Sequence, residues 1–325
     1  MRILLTGISG FAGSALLPRL LEAGHDVCAL ARDRTRVELA LQSMKLESDV
    51  DVTLADFELV IGDTLSGAGI VQAMRDVEVA YYLIHSMEPS GGRVGGVSGV
   101  SFPARERVSA QTFGEAARAA GVGRIVYLGG PLPPEQASTH LSSRYAVERI
   151  LLEDVPGSVA LRASIVIGTR SRSFRFLVRL IERLPVIALP AWRHFRTRPI
   201  DERDLVEMLV SCAANESVAG RALEIAGPET LTYGELVERI AELMMLSRPS
   251  IGLGVSVTPI AARLAATLTD EQPELVLPLM EGLTGDLLPD GQDAATALNL
   301  ELHSFDSAVE HALYEWEKLE PLAAR

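Results

Sequence analysis

The chain begins Met1-Arg-Ile-Leu-Leu-Thr-Gly-Ile-Ser-Gly-Phe-Ala-Gly13, an apolar run that meets glycines at Gly7, Gly10 and Gly13 and then becomes a helical pattern. No other stretch limits the fold as much. Ile3 to Leu5 suit a buried strand, and Gly7 lets the backbone reverse without a Cβ clash. Leu16, Leu17, Leu20 and Leu21 follow at helical spacing, Gly24 is a stop, and Asp26-Val-Cys-Ala-Leu-Ala31 reads as a second strand. Together these predict one β-α-β unit. The first N–H groups of such a helix have no partner within it, and they and the helix dipole point at whatever lies over the turn. A pyrophosphate satisfies both, so the turn reads as a dinucleotide cradle with Gly7, Ser9, Gly10, Phe11, Ala12 and Gly13 as its binding residues. Glycines at this spacing also occur in ordinary turns, and it is the flanking strands and helix that favour the cradle.

Further strands are predicted at Phe57–Ile61, Val79–Ile84, Arg124–Leu128, Val159–Ile167 and Ala222–Ile225. Helices are predicted between them, at Ile70–Met74, Ala104–Ala120 with Gly121 as its stop, and Ser142–Glu153 before Pro156. Strands alternating with helices predict an α/β fold built on a doubly wound parallel sheet of the Rossmann type. From about Ser171 the rhythm changes. Phe174–Arg183 reads as a helix, Leu184–Pro190 is bounded by proline, and Asp201–Ala213 is a helix that returns to the sheet. Thr232 with Glu235 forms a capping box that starts a helix running through Met245, and a final amphipathic helix ends near Glu317. We therefore expect a cofactor domain over residues 1–170, completed by about 197–227. A smaller, mainly helical substrate lobe is expected over 171–196 and 228–325. The glycine-rich piece Ser90–Gly99 follows the fourth strand on the ligand side of such a sheet, and reads either as a flap or as a plain solvent loop.

With 325 residues, 48% of them hydrophobic, the chain can bury a large core. Its 30 Lys and Arg against 43 Asp and Glu leave a formal charge of −13, which argues against a nucleic-acid footprint. The two cysteines, Cys28 and Cys212, offer neither a disulfide framework nor metal-ligand spacing, so no metal is expected and a reducing cytoplasm fits best. The N-terminus enters the first strand without a charged leader, and no window of about 18 residues is apolar throughout, so neither export nor a membrane span is expected. Ile251–Leu268 is the nearest candidate for contact with a membrane surface, and its Pro259 and Arg263 suit a packed loop and helix better.

The residue at the end of the second strand faces the adenosine ribose in this architecture, where a carboxylate favours a free 2′-hydroxyl and a guanidinium a 2′-phosphate. Here it is Arg32, with Arg34 and Arg36 nearby, so the pattern favours NADP over NAD. Asp33 serves the ribose instead if the strand ends one residue later. Asp63 and Thr64, in Gly62-Asp-Thr-Leu65, lie just past the third strand, where Asp63 either accepts from the adenine amino group or caps a helix.

Thr6-Gly-x-x-Gly-x-x-Gly13, Gly62-Asp63, Arg124-Ile-Val-Tyr-Leu-Gly-Gly130 and Leu161-Arg-Ala-Ser-Ile-Val-Ile-Gly168 together resemble the short-chain dehydrogenase/reductase superfamily, in its atypical branch. Tyr81-Tyr-Leu-Ile-His-Ser-Met87, His140-Leu-Ser-Ser-Arg144 and Ile225-Ala-Gly-Pro-Glu-Thr-Leu-Thr-Tyr233 are similar to the NmrA-like and complex I 39-kDa-subunit groups of NAD(P)H-binding proteins. Those groups include reductases, redox sensors and assembly subunits, and a fold does not select among them.

The superfamily's usual enzymes carry a Tyr with a Lys four residues on, and this chain departs from that pattern. Its lysines are Lys45 and Lys318, both outside the expected helix, and the usual serine position falls in Gly129-Gly130. The spacing of Arg144 to Glu148 matches that of the family Lys and the Glu that follows it, which puts Arg144 in place of Lys and His140 in place of Tyr. The other register, Tyr145 with Arg149, keeps the phenol and loses the glutamate. His140 is a candidate proton donor, because imidazole titrates near neutrality, and Arg144 a candidate ribose or oxyanion contact that cannot act as a base. His85, at the end of the fourth strand, is a second acid candidate near the cofactor. The expected function is NADPH-dependent reduction of a small carbonyl or quinone-like substrate. The alternatives are a non-catalytic NAD(P)H sensor or assembly protein, and a sugar-nucleotide epimerase or dehydratase.

Overall fold

A computed structural model of the chain describes residues 1–48, 51–84, 101–132, 139–252 and 285–322. Along the chain run β1 (Arg2–Thr6), α1 (Phe11–Glu22), β2 (Asp26–Ala31), α2 (Arg34–Ser48), β3 (Glu58–Ile61), α3 (Ile70–Ala73), β4 (Val79–Tyr82) and α4 (Phe102–Ala120). Then come β5 (Arg124–Gly129), α5 (Thr139–Asp154), β6 (Val159–Ala163), β7 (Val166–Ile167), α6 (Arg172–Arg183), β8 (Ile187–Leu189), β9 (Arg196–Thr197) and β10 (Ile200–Asp201). The remainder comprises α7 (Glu202–Ala214), β11 (Ala222–Ile225), β12 (Leu231–Thr232), α8 (Tyr233–Leu243), β13 (Ser250–Gly252), β14 (Gln292–Asp293), α9 (Ala294–Leu298) and α10 (Phe305–Leu319).

β1 is apolar from Ile3 to Leu5 because both of its faces are covered. Ile3 and Leu5 enter the core on one side of the sheet and Leu4 the core on the other, as a strand's alternation requires. Eight strands stand in the order β14-β11-β6-β5-β4-β1-β2-β3, every pairing among them parallel. Chain order reverses between β1 and β4, and that switch opens a crevice beyond the carboxyl ends of the strands. Leu16, Leu17 and Leu20 of α1 and Leu205 and Leu209 of α7 fill the core on one face. Phe113 and Ala117 of α4 and Val147 and Leu151 of α5 fill the core on the other.

A third core stands apart from the sheet. Phe174, Val178 and Ile181 of α6, Leu236 and Ile240 of α8, and Val309, Leu313 and Trp316 of α10 pack together there. The predicted capping box holds α8 in place: Thr232 Oγ1 accepts from the Glu235 N–H at 3.1 Å, and Glu235 accepts from the Thr232 N–H at 2.7 Å.

Three elements depart from the sequence reading. The strand expected over Val159–Ile167 is two strands, because Ser164 Oγ donates to the Arg198 carbonyl and the Ile200 N–H to the Ile165 carbonyl, which turns β7 off the main sheet to pair with β10. Arg34–Ser48, for which no helix was expected, is helical, and Asp33 Oδ1 accepts from the Thr35 N–H at its start. β14 comes from the segment expected in the lobe and forms the far edge of the sheet beside β11. The Ser90–Gly99 piece, and Ile251–Leu268 from residue 253 onward, lie outside the described residues. No helix among the described residues is long and apolar enough to cross a membrane.

Candidate functional site

The cradle is assembled from backbone. Gly7 adopts φ +72°, in the left-handed region that only glycine enters freely, and its carbonyl accepts from the Gly10 N–H at 2.8 Å. A Cβ built on Gly13 would stand 2.3 Å from the Gly7 oxygen, so the close seating of α1 against the β1 turn requires glycine there. No side chain caps α1 and its first turn carries no acidic residue, which leaves the first-turn N–H groups and the positive end of the helix facing the crevice. These residues fit a dinucleotide diphosphate. Ser9 and Gly10 are exposed, and Phe11 and Ala12 half-buried.

Arg32 follows β2 directly and is exposed. Its neighbour Arg34 is engaged by Glu38 at 3.0 Å, and Asp33 by the start of α2. Asp63 is half-buried, and its Oδ1 accepts from the Leu65 N–H at 2.8 Å. Thr64 is buried, its hydroxyl 2.5 Å from Ser109 Oγ, to which the Tyr82 phenol donates at 2.9 Å. His85 lies outside the described residues.

On α5 the predicted residues separate by helix face. Arg144 is buried, and its guanidinium donates to the carbonyls of Ile84 and Leu128, tying the carboxyl ends of the β4 and β5 segments together. It also lies 5.0 Å over the Tyr127 ring and 3.8 Å from the buried Glu106 carboxylate of α4. The Tyr127 phenol in turn donates to the Arg144 carbonyl at 3.1 Å. Burial pushes the Tyr82 and Tyr127 phenols far above their ordinary value, so both stay neutral. His140, one turn earlier, is half-buried and stacks on Phe102 with ring centroids 5.8 Å apart. Tyr145 is on the outer face at 39% exposure, and Arg149 pairs with Glu153.

Glu148 does not pair with Arg144. It receives two hydrogen bonds from Arg162 of β6, at 2.6 and 2.9 Å, and Arg162 also donates to Glu224 of β11 at 3.0 Å. All three side chains are nearly buried, and burial raises the Glu224 carboxyl above its ordinary value. Sequence reasoning missed Glu106, Arg162 and Glu224, whose partners stand between 14 and 62 residues away and leave no spacing to read. The cysteines are buried packing residues, and burial pushes the Cys28 thiol up to about 11 and that of Cys212 to about 12. Among the described residues no group of three His, Cys, Asp or Glu could hold a metal ion.

Residues 3–155 match the family model described as the NAD dependent epimerase/dehydratase family. Two curated relatives are chloroplastic divinyl chlorophyllide a 8-vinyl-reductases. The one from Zea mays is 23% identical over 244 residues, 73% of this chain and 59% of that protein. The one from Oryza sativa subsp. indica is 26% identical over 246 residues, 73% of this chain and 58% of that protein. The chain thus spans less than two thirds of the length of these relatives. Among solved structures, a nucleoside-diphosphate-sugar epimerase from Staphylococcus aureus superposes with TM-score 0.72 at 14% identity, covering 95% of this chain and 100% of that one. A triphenylmethane reductase from Citrobacter sp. has TM-score 0.72 at 15% identity, with 97% and 100% covered. A UDP-glucuronic acid 4-epimerase from Bacillus cereus, in complex with UDP-glucuronic acid and NAD, has TM-score 0.70 at 17% identity, with 98% and 100% covered.

Proposed function

We propose that the chain, whose residues 3–155 match the NAD dependent epimerase/dehydratase family model and whose main sheet is parallel and of the Rossmann type, is an NADPH-preferring reductase. Its substrate is a small apolar molecule with a conjugated carbonyl, quinone or alkene. The observation that carries this reading is the state of Arg144. Its guanidinium is tied to two strand-end carbonyls, and a guanidinium offers donors and no acceptor, so it can hold a ribose hydroxyl or a developing oxyanion and cannot serve as a general base. An epimerase or dehydratase needs a base for a hydroxyl proton, and Tyr145, the α5 phenol, faces outward. A reductase needs only a proton donor, and His140 lies one turn from Arg144 on the same helix. Relatives whose names state reduction of a vinyl group and of a triphenylmethane support the choice of a conjugated substrate.

The cofactor supplies hydride when bound. Phe11, Ala12 and Gly13 offer backbone donors to its diphosphate, Arg32 a guanidinium to the 2′-phosphate, Asp63 an acceptor on the adenine side, and Arg144 a donor to the nicotinamide-side ribose. We assign residues 1–170 and about 197–227 to the cofactor domain, with 171–196 and 228–325 as the substrate lobe, from which Gln292–Leu298 returns to the sheet edge. The separate core beneath α6, α8 and α10 supports this division. The second reading, a protein that binds NADPH without turnover, is favoured by the missing lysine and the outward phenol.

Purified protein mixed with 4-deuterated NADPH and a panel of quinones, aldehydes and enones tests the choice, with deuterium in the product as the expected result. Tight binding without transfer would select the sensor. Where transfer occurs, His140→Ala should slow it by about 10²- to 10⁴-fold, and an unchanged rate removes His140 from the reaction.

A further inference from the structure

We infer that the cavity beyond the carboxyl ends of β6 and β11 is a subsite for a hydroxyl group on the substrate's apolar skeleton, held between Arg162 and Glu224; this rests on the reading above that the crevice takes an apolar molecule. Strand order puts the cavity on the substrate's side. Arg32 and Asp63 follow β2 and β3 on one flank of the switch point, and β5, β6 and β11 stand in succession on the other. The cavity there, about 10 Å³, is lined by Arg162, Ser164 and Glu224 and by apolar residues that include Ile225, Ala226 and Leu288. Its outer wall is fastened to β9. Asp286 Oδ1 accepts from the Arg196 N–H at 2.7 Å, and the Leu287 N–H donates to the Arg196 carbonyl at 2.8 Å, which docks residues 287–289 over the strand ends.

The polar groups are fixed and still have capacity to spare. Of the five N–H groups of Arg162, two donate to Glu148 and one to Glu224 Oε1, and no other hydrogen bond occupies the guanidinium among the described residues. Glu224 Oε2 accepts none among them. Charge and hydrogen-bonding capacity then choose the ligand group. One guanidinium between two carboxylates leaves the set with a net negative charge, so a carboxylate or phosphate is repelled. A carbonyl accepts from Arg162 and leaves Oε2 unused, and an ammonium does the reverse. A hydroxyl accepts from an Arg162 N–H and donates to Glu224 Oε2, which uses both at once. A space of about 10 Å³ admits one oxygen-sized group and no ring, and the apolar wall suits the carbon skeleton that carries it.

The test is binding to the full chain loaded with NADP⁺, so that no reduction intervenes. The probes are cyclohexenone and its hydroxylated, methoxylated and carboxylated derivatives, followed by ligand-observed NMR. Wild type should bind a hydroxylated probe about tenfold more tightly than the parent, the worth of one hydrogen bond to a charged group, and the methoxylated and carboxylated probes no better than the parent. Glu224→Gln, and Ala226→Val, which narrows the cavity, should each bring that ratio to about one. The ratio decides, because a general loss of structure lowers both affinities alike. A wild-type ratio of about one would overturn the inference, and so would a ratio that persists in a folded Glu224→Gln or, where that variant fails to fold, in Ala226→Val. Hydride transfer from NADPH to the same probes reports on the reductase reading separately. Transfer without the preference keeps that reading and ends the inference, and the preference without transfer keeps the subsite and selects the non-catalytic reading. A wild type that binds none of the probes ends both.

Discussion

Arg32 shows what a single position can carry. It follows β2 directly, at the place that reads the ribose in this architecture, and its neighbours Asp33 and Arg34 are occupied by the start of α2 and by Glu38. Arg32→Ala should therefore raise the Kd for NADPH by roughly ten- to a hundredfold and leave that for NADH in place. Equal loss for both would remove the 2′-phosphate assignment. The thiols make a second prediction at this scale. With Cys28 and Cys212 buried and their values pushed up to about 11 and about 12, neither offers thiolate near neutrality. Iodoacetamide should label the protein only once it unfolds, as mass spectrometry of native and urea-treated samples would show. On α5 the sequence separated two registers by the spacing to Glu148, and the fold turns Arg144 inward and Tyr145 outward. The partners of Arg144 were not legible, because the Ile84 and Leu128 carbonyls and Glu106 meet it only when three elements converge.

Elements with local causes were read closely, and those with distant causes were not. The opening β-α-β unit depends on apolar runs and on glycines within one short stretch, and β1, α1 and β2 fall where periodicity places them. Gly13→Ala tests that unit. The added methyl would crowd the Gly7 carbonyl, so the variant should lose about 1–3 kcal/mol in urea unfolding and its nucleotide-induced rise in Tm, although alanine favours a helix. Normal unfolding and normal binding together would contradict the cradle packing. The capping box of α8 is equally local. Thr232→Ala should cost about 1 kcal/mol and leave nucleotide affinity unaltered, since the box braces the third core and not the crevice. The break between β6 and β7 shows the opposite case. Val159–Ile167 has the composition of one strand, and what divides it is pairing to residues more than thirty positions later.

Across the whole molecule, the buried set of Glu148, Arg162 and Glu224 joins α5, β6 and β11 with two carboxylates around one guanidinium. Arg162→Met would leave both carboxylates buried without their cation, and urea unfolding should register a loss of about 3–5 kcal/mol. The set also leaves a pH signature. Burial raises Glu224 above its ordinary 4.5, so around and above that pH the folded chain keeps a proton that the unfolded chain has released. Stability from this group is present at acid pH and falls as pH rises through the raised value. Glu224→Gln should flatten that part of the profile, and wild-type and variant curves that run parallel from about pH 4 to about pH 7 would contradict it. The parallel sheet and the glycine turn that leads into α1 were legible in the linear chain, because buried strands, amphipathic helices and glycine turns depend on residues close together along it. The split of β6 from β7, the strut at Arg144, the Arg162 set and the reach of Arg170 to Ser14 were not. Each joins groups between 14 and 156 positions apart, and in a folded chain such neighbours are chosen by how whole layers pack, which no local pattern records.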